Sequence, residues 1–139
     1  MIEEGIRDYL AAHMTPGRLG TYDFGDGAEA AIFTVDPLPS DQCLPAIQIL
    51  ESGGVRFGTR ARKGAQQYAD VTVYGPKHRS AATLRDIAFE VWKLLERANL
   101  ELRDACAVLC IADPPARFTD PDGFPGFRIP VSVLFLEAL

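Results

Sequence analysis

The chain is short of the residues from which most catalytic and metal sites are built. Its 139 residues include two histidines, three cysteines and one tryptophan. His13 falls at a predicted helix end and His78 in a predicted loop, so a Ser-His-Asp or Cys-His arrangement has few bases to draw on. Cys43, Cys106 and Cys110 are odd in number, and the amino terminus lacks the basic-then-apolar order of a secretory signal. No disulfide framework is expected, and a reducing compartment fits. Apolar runs are short: 105–112 and 129–136 are the longest, far below the roughly 20 residues of a membrane span. Nor is there an excess of positive charge. The net charge of −5 disfavours a dedicated nucleic-acid binder, since phosphate neutralisation needs surplus Lys and Arg.

What is present is an ordinary globular composition, 47% apolar and 24% charged. A chain of this length buries roughly two-thirds of its unfolded surface, so one core and one domain over residues 1–139 are expected, with neither metal nor disulfide needed. Charge is unevenly spread. Residues 1–51 hold nine acids against Arg7 and Arg18, whereas 56–79 carry Arg56, Arg60, Arg62, Lys63, Lys77 and Arg79 against Asp70 alone. Two oppositely charged surfaces follow.

Ile2, Ile6, Tyr9 and Leu10 recur at helical spacing and predict a helix over 2–13, with Glu3, Glu4 and Asp8 near its positive end. Gly17 to Gly27 reads as a loop leading to a strand at 30–35. The prolines of 36–41 make a turn, and a second strand follows at 46–51. Ser52 to Gly54 punctuates, and 55–66 suits a long hairpin or a mobile loop, with nothing that looks like core. Tyr68 to Tyr74 alternates as a half-buried strand. Beyond Gly75-Pro76, Ser80 is a candidate N-cap for the strongest helix of the chain, on the stripe Leu84, Ile87, Ala88, Val91, Leu94 and Leu95. Asn99 is suited to a left-handed cap near its end. Trp92 lies off the stripe and marks a candidate interface. Two Val- and Leu-rich strands, 105–111 and 127–136, are expected centrally in the sheet, with a loop over 113–126 between them. The order of elements predicts an α/β (α+β) fold, a mixed and mainly antiparallel sheet packed against two main helices.

Several patterns invite a chemical reading and a plainer one. Val71 to Ser80 forms a strand, glycine turn and helix start, which can cradle an anion, but it lacks the Walker pattern and the three-glycine fingerprint. Scaffold is the better reading. Cys106 and Cys110, four apart on a strand, are expected on one face as buried small apolar groups, without the turn that a metal pair needs. Asp113, Asp120 and Asp122 lack the spacing of a calcium loop and read as turn residues. The basic stretch 56–63 has only Phe57 as aromatic company, too little for a single-strand stacking surface. No catalytic residue, metal or cofactor is expected, and the chain is not read as an enzyme.

The helix at 2–12, the strand Pro45-Ala-Ile-Gln-Ile49, the strand Tyr68-Ala-Asp-Val-Thr-Val-Tyr-Gly75, the helix 80–95 and the late Pro- and Gly-rich loop before 127–136 resemble the tail terminator proteins of long-tailed bacteriophages and gene transfer agents, a group also described as minor tail or minor capsid proteins. The resemblance covers most of the chain. It implies a two-layer fold and a virion component at the head-proximal end of the tail, assembled in the host cytoplasm. The implied assembly is a hexameric ring that caps the tail tube, ends its polymerisation and joins the head connector. Its implied partners are other copies of the chain, the tail tube protein and the connector or stopper, with passing contact to DNA in the channel and none to membrane. The candidate subunit or partner contacts are then Arg56, Arg60, Arg62, Lys63, Lys77, Arg79 and Trp92. Alternatives are a head–tail connector (stopper or adaptor) or the tube protein itself and, in a different class, a small anion- or nucleotide-binding α/β enzyme using the Gly75 to Ser80 turn.

Overall fold

Strict apolar alternation places two strands at the heart of the sheet. In β9 (Pro125–Glu137) Phe127, Ile129, Val131, Val133 and Phe135 are buried, and in β5 (Lys63–Tyr74) so are Ala69, Val71 and Val73. Antiparallel register sets Val71 opposite Ile129 and Val73 opposite Phe127, so their inward side chains form adjoining rows. The computed structural model describes residues 2–36, 38, 44–58, 63–77 and 81–137. The remaining elements are α1 (Ile2–His13), β1 (Thr21–Asp23), β2 (Ala28–Ala30), β3 (Ile32–Phe33), β4 (Ala46–Gly58), α2 (Ala81–Leu95), β6 (Glu101–Leu102), β7 (Ala105–Ala112) and β8 (Ala116–Thr119).

Among the described residues seven strands join in the order β3-β4-β5-β9-β7-β6, with β8 added to β9 ahead of β7. The sheet is mixed because β3 runs parallel to β4, while its other described pairings are antiparallel. Ile2, Ile6 and Leu10 of α1 and Leu84, Ile87, Ala88, Val91 and Leu95 of α2 share one buried cluster with the inward residues of β4, β5, β7 and β9. Full burial of each Ile, Leu or Val side chain among these contributes about 1.5–3 kcal/mol.

The helix over 2–13 and the stripe on α2 match the periodic reading, but several loops do not. The stretch 17–27, read as a loop, holds β1 and the start of a hairpin with β2, in which Tyr22 faces Glu29. Its turn is made by Gly25 and Gly27, both at positive φ, while the Asp23 carboxylate accepts the Gly25 N–H at 2.8 Å. The strand read at 30–35 is interrupted: Ala31 donates its N–H to Gly20 O, leaving β2 and β3 as separate pieces. The second strand does not stop at 51. It continues as β4 to Gly58 and pairs with β5 from Lys63 onward, so the hairpin alternative holds for the described part of 55–66, and Ala65 packs against the core. A bulge between Glu51 and Gly53 lets the strand pass the Ser52-Gly-Gly54 interruption. Within 113–126, read wholly as loop, β8 pairs with β9.

Two further departures have clear causes. Asn99 is not the left-handed residue after α2; Arg97 is, at φ 59°, and its N–H donates to Cys110 O at 2.8 Å. A tertiary hydrogen bond there outweighs the intrinsic preference of Asn. Cys106 and Cys110 do not share a face. A bulge between Ala107 and Leu109 adds one residue to β7 and inverts its alternation, leaving Cys106 exposed and Cys110 buried. β7 also lies next to the short edge strand β6 rather than at the centre, with Val108 and Ile111 exposed. The proposed N-cap Ser80, Cys43 and most of the 36–41 turn lie outside the described residues.

Candidate interaction surfaces

The residues singled out from sequence do not converge on one place. Arg56 on β4 and Lys63 at the start of β5 are both exposed and belong to one hairpin, with Arg56 opposite Ala65 and Lys63 opposite Gly58. Arg60 and Arg62 fall between these strands in sequence and lie outside the described residues, as does Arg79. Lys77 follows the other end of β5, where its Nζ sits 4.8 Å from the centre of the Phe124 ring, a cation–π contact. Trp92 is half-buried on α2; its indole N–H donates to Ala112 O at 3.0 Å and its ring meets Phe89 edge-on at 5.8 Å.

The turn considered as an anion cradle is already occupied by the scaffold. Gly75 donates its N–H to Pro125 O at 2.9 Å, and Pro76 has no N–H to offer. His78, Arg79 and Ser80 lie outside the described residues. Asp120 closes the β8–β9 turn, its carboxylate accepting the Phe124 N–H at 2.8 Å. Among the described residues no three His, Cys, Asp or Glu side chains come together in a way that would hold a metal ion. His13 stacks on Tyr9 and donates from Nδ1 to Tyr9 O at 2.8 Å. The Cys110 thiol is pushed up to about 11, first by burial and then by the Glu96 carboxylate, with a backbone hydrogen bond from Ala98 opposing, so it is no nucleophile at neutral pH. Among the described residues no helix is long and apolar enough to cross a membrane.

One surface went unread in the sequence. Between α1 and the β1–β2 hairpin lies an open groove of about 230 Å³ whose lining includes Arg7, Asp8, Ala11, Phe24, Glu29 and Ile32. Apolar groups supply much of its lining, and two carboxylates flank it. Phe24 remains 45% exposed although it joins Tyr22 and Phe33 in an aromatic cluster, at 5.0 Å and 5.3 Å between ring centres. Asp-Phe-Gly-Asp-Gly at 23–27 was the available signal, because paired glycines beside aspartate mark a tight hairpin turn. A second, smaller depression of about 130 Å³, bordered by Tyr68, Asp70, Ile111 and Ser132, lies on the sheet.

No protein-family model matches the chain, and no curated protein matches it in sequence. Among solved structures, a chain of the virion of the native gene transfer agent (GTA) particle shares its fold, with a TM-score of 0.73 over 97% of this chain and 94% of that one, at 14% sequence identity.

Proposed function

We propose that the chain is a structural component of a virion or virion-like particle, and specifically a tail terminator that closes into a ring, a hexamer, on the head-proximal end of a tail tube. The supporting observation is the whole-chain likeness in fold to a chain of the gene transfer agent virion, which spans nearly all of both chains. Physical features accord with it. The basic hairpin around Arg56 and Lys63 and the groove beside α1, where Asp8 and Glu29 outnumber Arg7, give the two unlike surfaces that head-to-tail ring contacts require. The ring ends tube growth on one face and offers the other to the head connector. Arg56, Arg60, Arg62, Lys63, Lys77, Arg79 and Trp92 are the proposed subunit or partner contacts of that ring.

Negative-stain microscopy of the purified protein, alone and with tail tubes, tests this reading. Closed rings and capped tubes of defined length are expected. Open-ended polymerisation would instead identify a tube protein, and rings that bind portal-bearing heads but not tubes would identify a stopper or adaptor. Reversing Arg60, Arg62 and Lys63 to Glu is expected to abolish ring closure. Binding of the isolated ring to DNA at low salt, lost as salt rises, would place the basic stretch toward the channel.

A further inference from the structure

We infer that the groove between α1 and the β1–β2 hairpin is the seat for the β4–β5 hairpin of a second copy of the chain. This rests on the ring reading above and supplies the contact that builds the ring.

The hairpin is an unfinished surface. Among the described residues β3 pairs with β4 only at Ile47 and Gln48, and Glu3 Oε1 takes the Glu51 N–H at 3.0 Å. From Gly53 to Gly58 no described strand pairs with the outer side of β4. The opposite margin of the sheet is treated differently: Arg97 N–H and the Trp92 indole cap the carbonyls of Cys110 and Ala112. Folded chains usually cover or blunt an open edge, and one left open is a template for another chain. Val55 stands on this segment 60% exposed, beside Arg56.

The groove has the matching deficits. Among the described residues β2 is paired with β1 alone, and all three of its residues are exposed. Ala11, Ile32 and Phe24 offer an apolar bed for a valine, and Asp8 and Glu29 stand where a cation would lie alongside. Arg56, Lys63 and Glu29 have no ion-pair partner among the described residues. Arg7 is engaged with Asp8 only weakly, at 3.4 Å and in solvent. The occupant is therefore an extended, basic segment carrying one small apolar side chain, and this chain exposes such a segment.

The contact must be between copies. Ile32 of the groove pairs beside Ile47, and Val55 lies eight residues further along the same extended strand, about 26 Å away. A chain cannot fold its own hairpin into its own groove across that span. Two different patches on one molecule make a heterologous contact, which gives a ring where its rotation closes and an open filament where it does not.

A charge exchange between full-length variants tests the seat. One carries Arg56→Glu with Lys63→Glu, the other Asp8→Lys with Glu29→Lys, and circular dichroism verifies that each is folded. Light scattering and sedimentation are expected to show that each variant alone loses association by at least about tenfold, because its hairpin and groove then carry the same sign. The equimolar mixture, in which every hairpin meets a groove of opposite sign, is expected to regain wild-type assembly. Wild-type rings that survive either reversal, or a mixture that stays dissociated, overturn the seat while leaving the ring reading standing. A wild type that remains monomeric at low salt and millimolar concentration, yet caps tubes, overturns the seat as well; one that neither self-associates nor caps tubes overturns both.

Discussion

Two residues show how single atoms hold this sheet together. A Cβ placed on Gly54 would lie 2.6 Å from Gln66 O and 3.1 Å from Gln67 Cα, both backbone atoms of the paired strand, which have no rotamer to give way. Gly75 differs, since its Cβ would meet the flexible Leu84 side chain at 3.0 Å. Gly54→Ala is therefore expected to cost about 1–3 kcal/mol in a urea denaturation series, and Gly75→Ala clearly less. Cys110 makes an alkaline prediction. Its thiol ionises near 9.0 when unfolded but only at about 11 in the fold. Between these values the native state keeps a proton that the unfolded state has released, so stability is intact below pH 9 and falls as pH rises towards 11, by at most about 2–3 kcal/mol. Tyr74, raised by burial and then by Asp120, adds a loss of the same sign above pH 10. Denaturation midpoints at pH 8 to 11 are expected to flatten in Cys110→Ala, leaving the Tyr74 part. Peptide mapping after alkylation at pH 8 is expected to find exposed Cys106 modified and Cys110 protected until unfolding.

Among the elements, the segment after α1 is held to α2 by one carboxylate. Glu90 accepts from both the N–H and the hydroxyl of Thr15 at 2.8 Å and pairs with Arg18 at 3.1 Å. Glu90→Ala is expected to lower stability by about 1–3 kcal/mol, and Glu90→Gln by less, because an amide oxygen still serves Thr15 while the attraction for Arg18 is lost. Thermal melts of the two variants check that order. At the sheet margin, Trp92→Phe removes the bond to Ala112 O, at a cost of about 1 kcal/mol, and uncovers part of the β7 edge, so slower-sedimenting monomer should give way to aggregates on storage. None of these contacts was legible in sequence, since each joins residues far apart along the chain. Legible features were those that a single period writes into consecutive residues: α1, the α2 stripe and the alternation of β5 and β9. Where one inserted residue changes the phase, as at Val108, the period misleads, and the two cysteines part. Short pairings such as β1–β2 and β8–β9 lack enough residues to display a period, and glycine and proline there gave only the turns. The basic hairpin and an acidic amino-terminal region could both be read from charge, whereas the groove could not, because only folding brings Asp8 and Glu29 into one lining.

For the whole molecule, the question is which force assembles it, and two surfaces compete. The hairpin and groove are joined by opposite charges in solvent, whereas the sheet also exposes Val108 at 56%, Ile111 at 41% and Tyr68 at 38%. These alternatives respond oppositely to salt. Raising sodium chloride from 0.1 to 1 M shortens the screening length from about 10 Å to about 3 Å, which weakens exposed ion pairs and leaves apolar burial intact. If the seat between α1 and β1–β2 carries the ring, light scattering at fixed protein concentration should show dissociation over that range, and Val108→Lys with Ile111→Lys should leave assembly at 0.1 M unchanged. Sodium sulfate at the same ionic strength separates the two further, because an excluded anion strengthens apolar contacts while still screening charge. Assembly that persists in 1 M chloride, tightens in sulfate and is lost in the double lysine variant would transfer the ring contact to the outer sheet face. The hairpin of β4 and β5 would then be left to meet the tube or the connector, a role in which its basic charge acts between rings rather than within one.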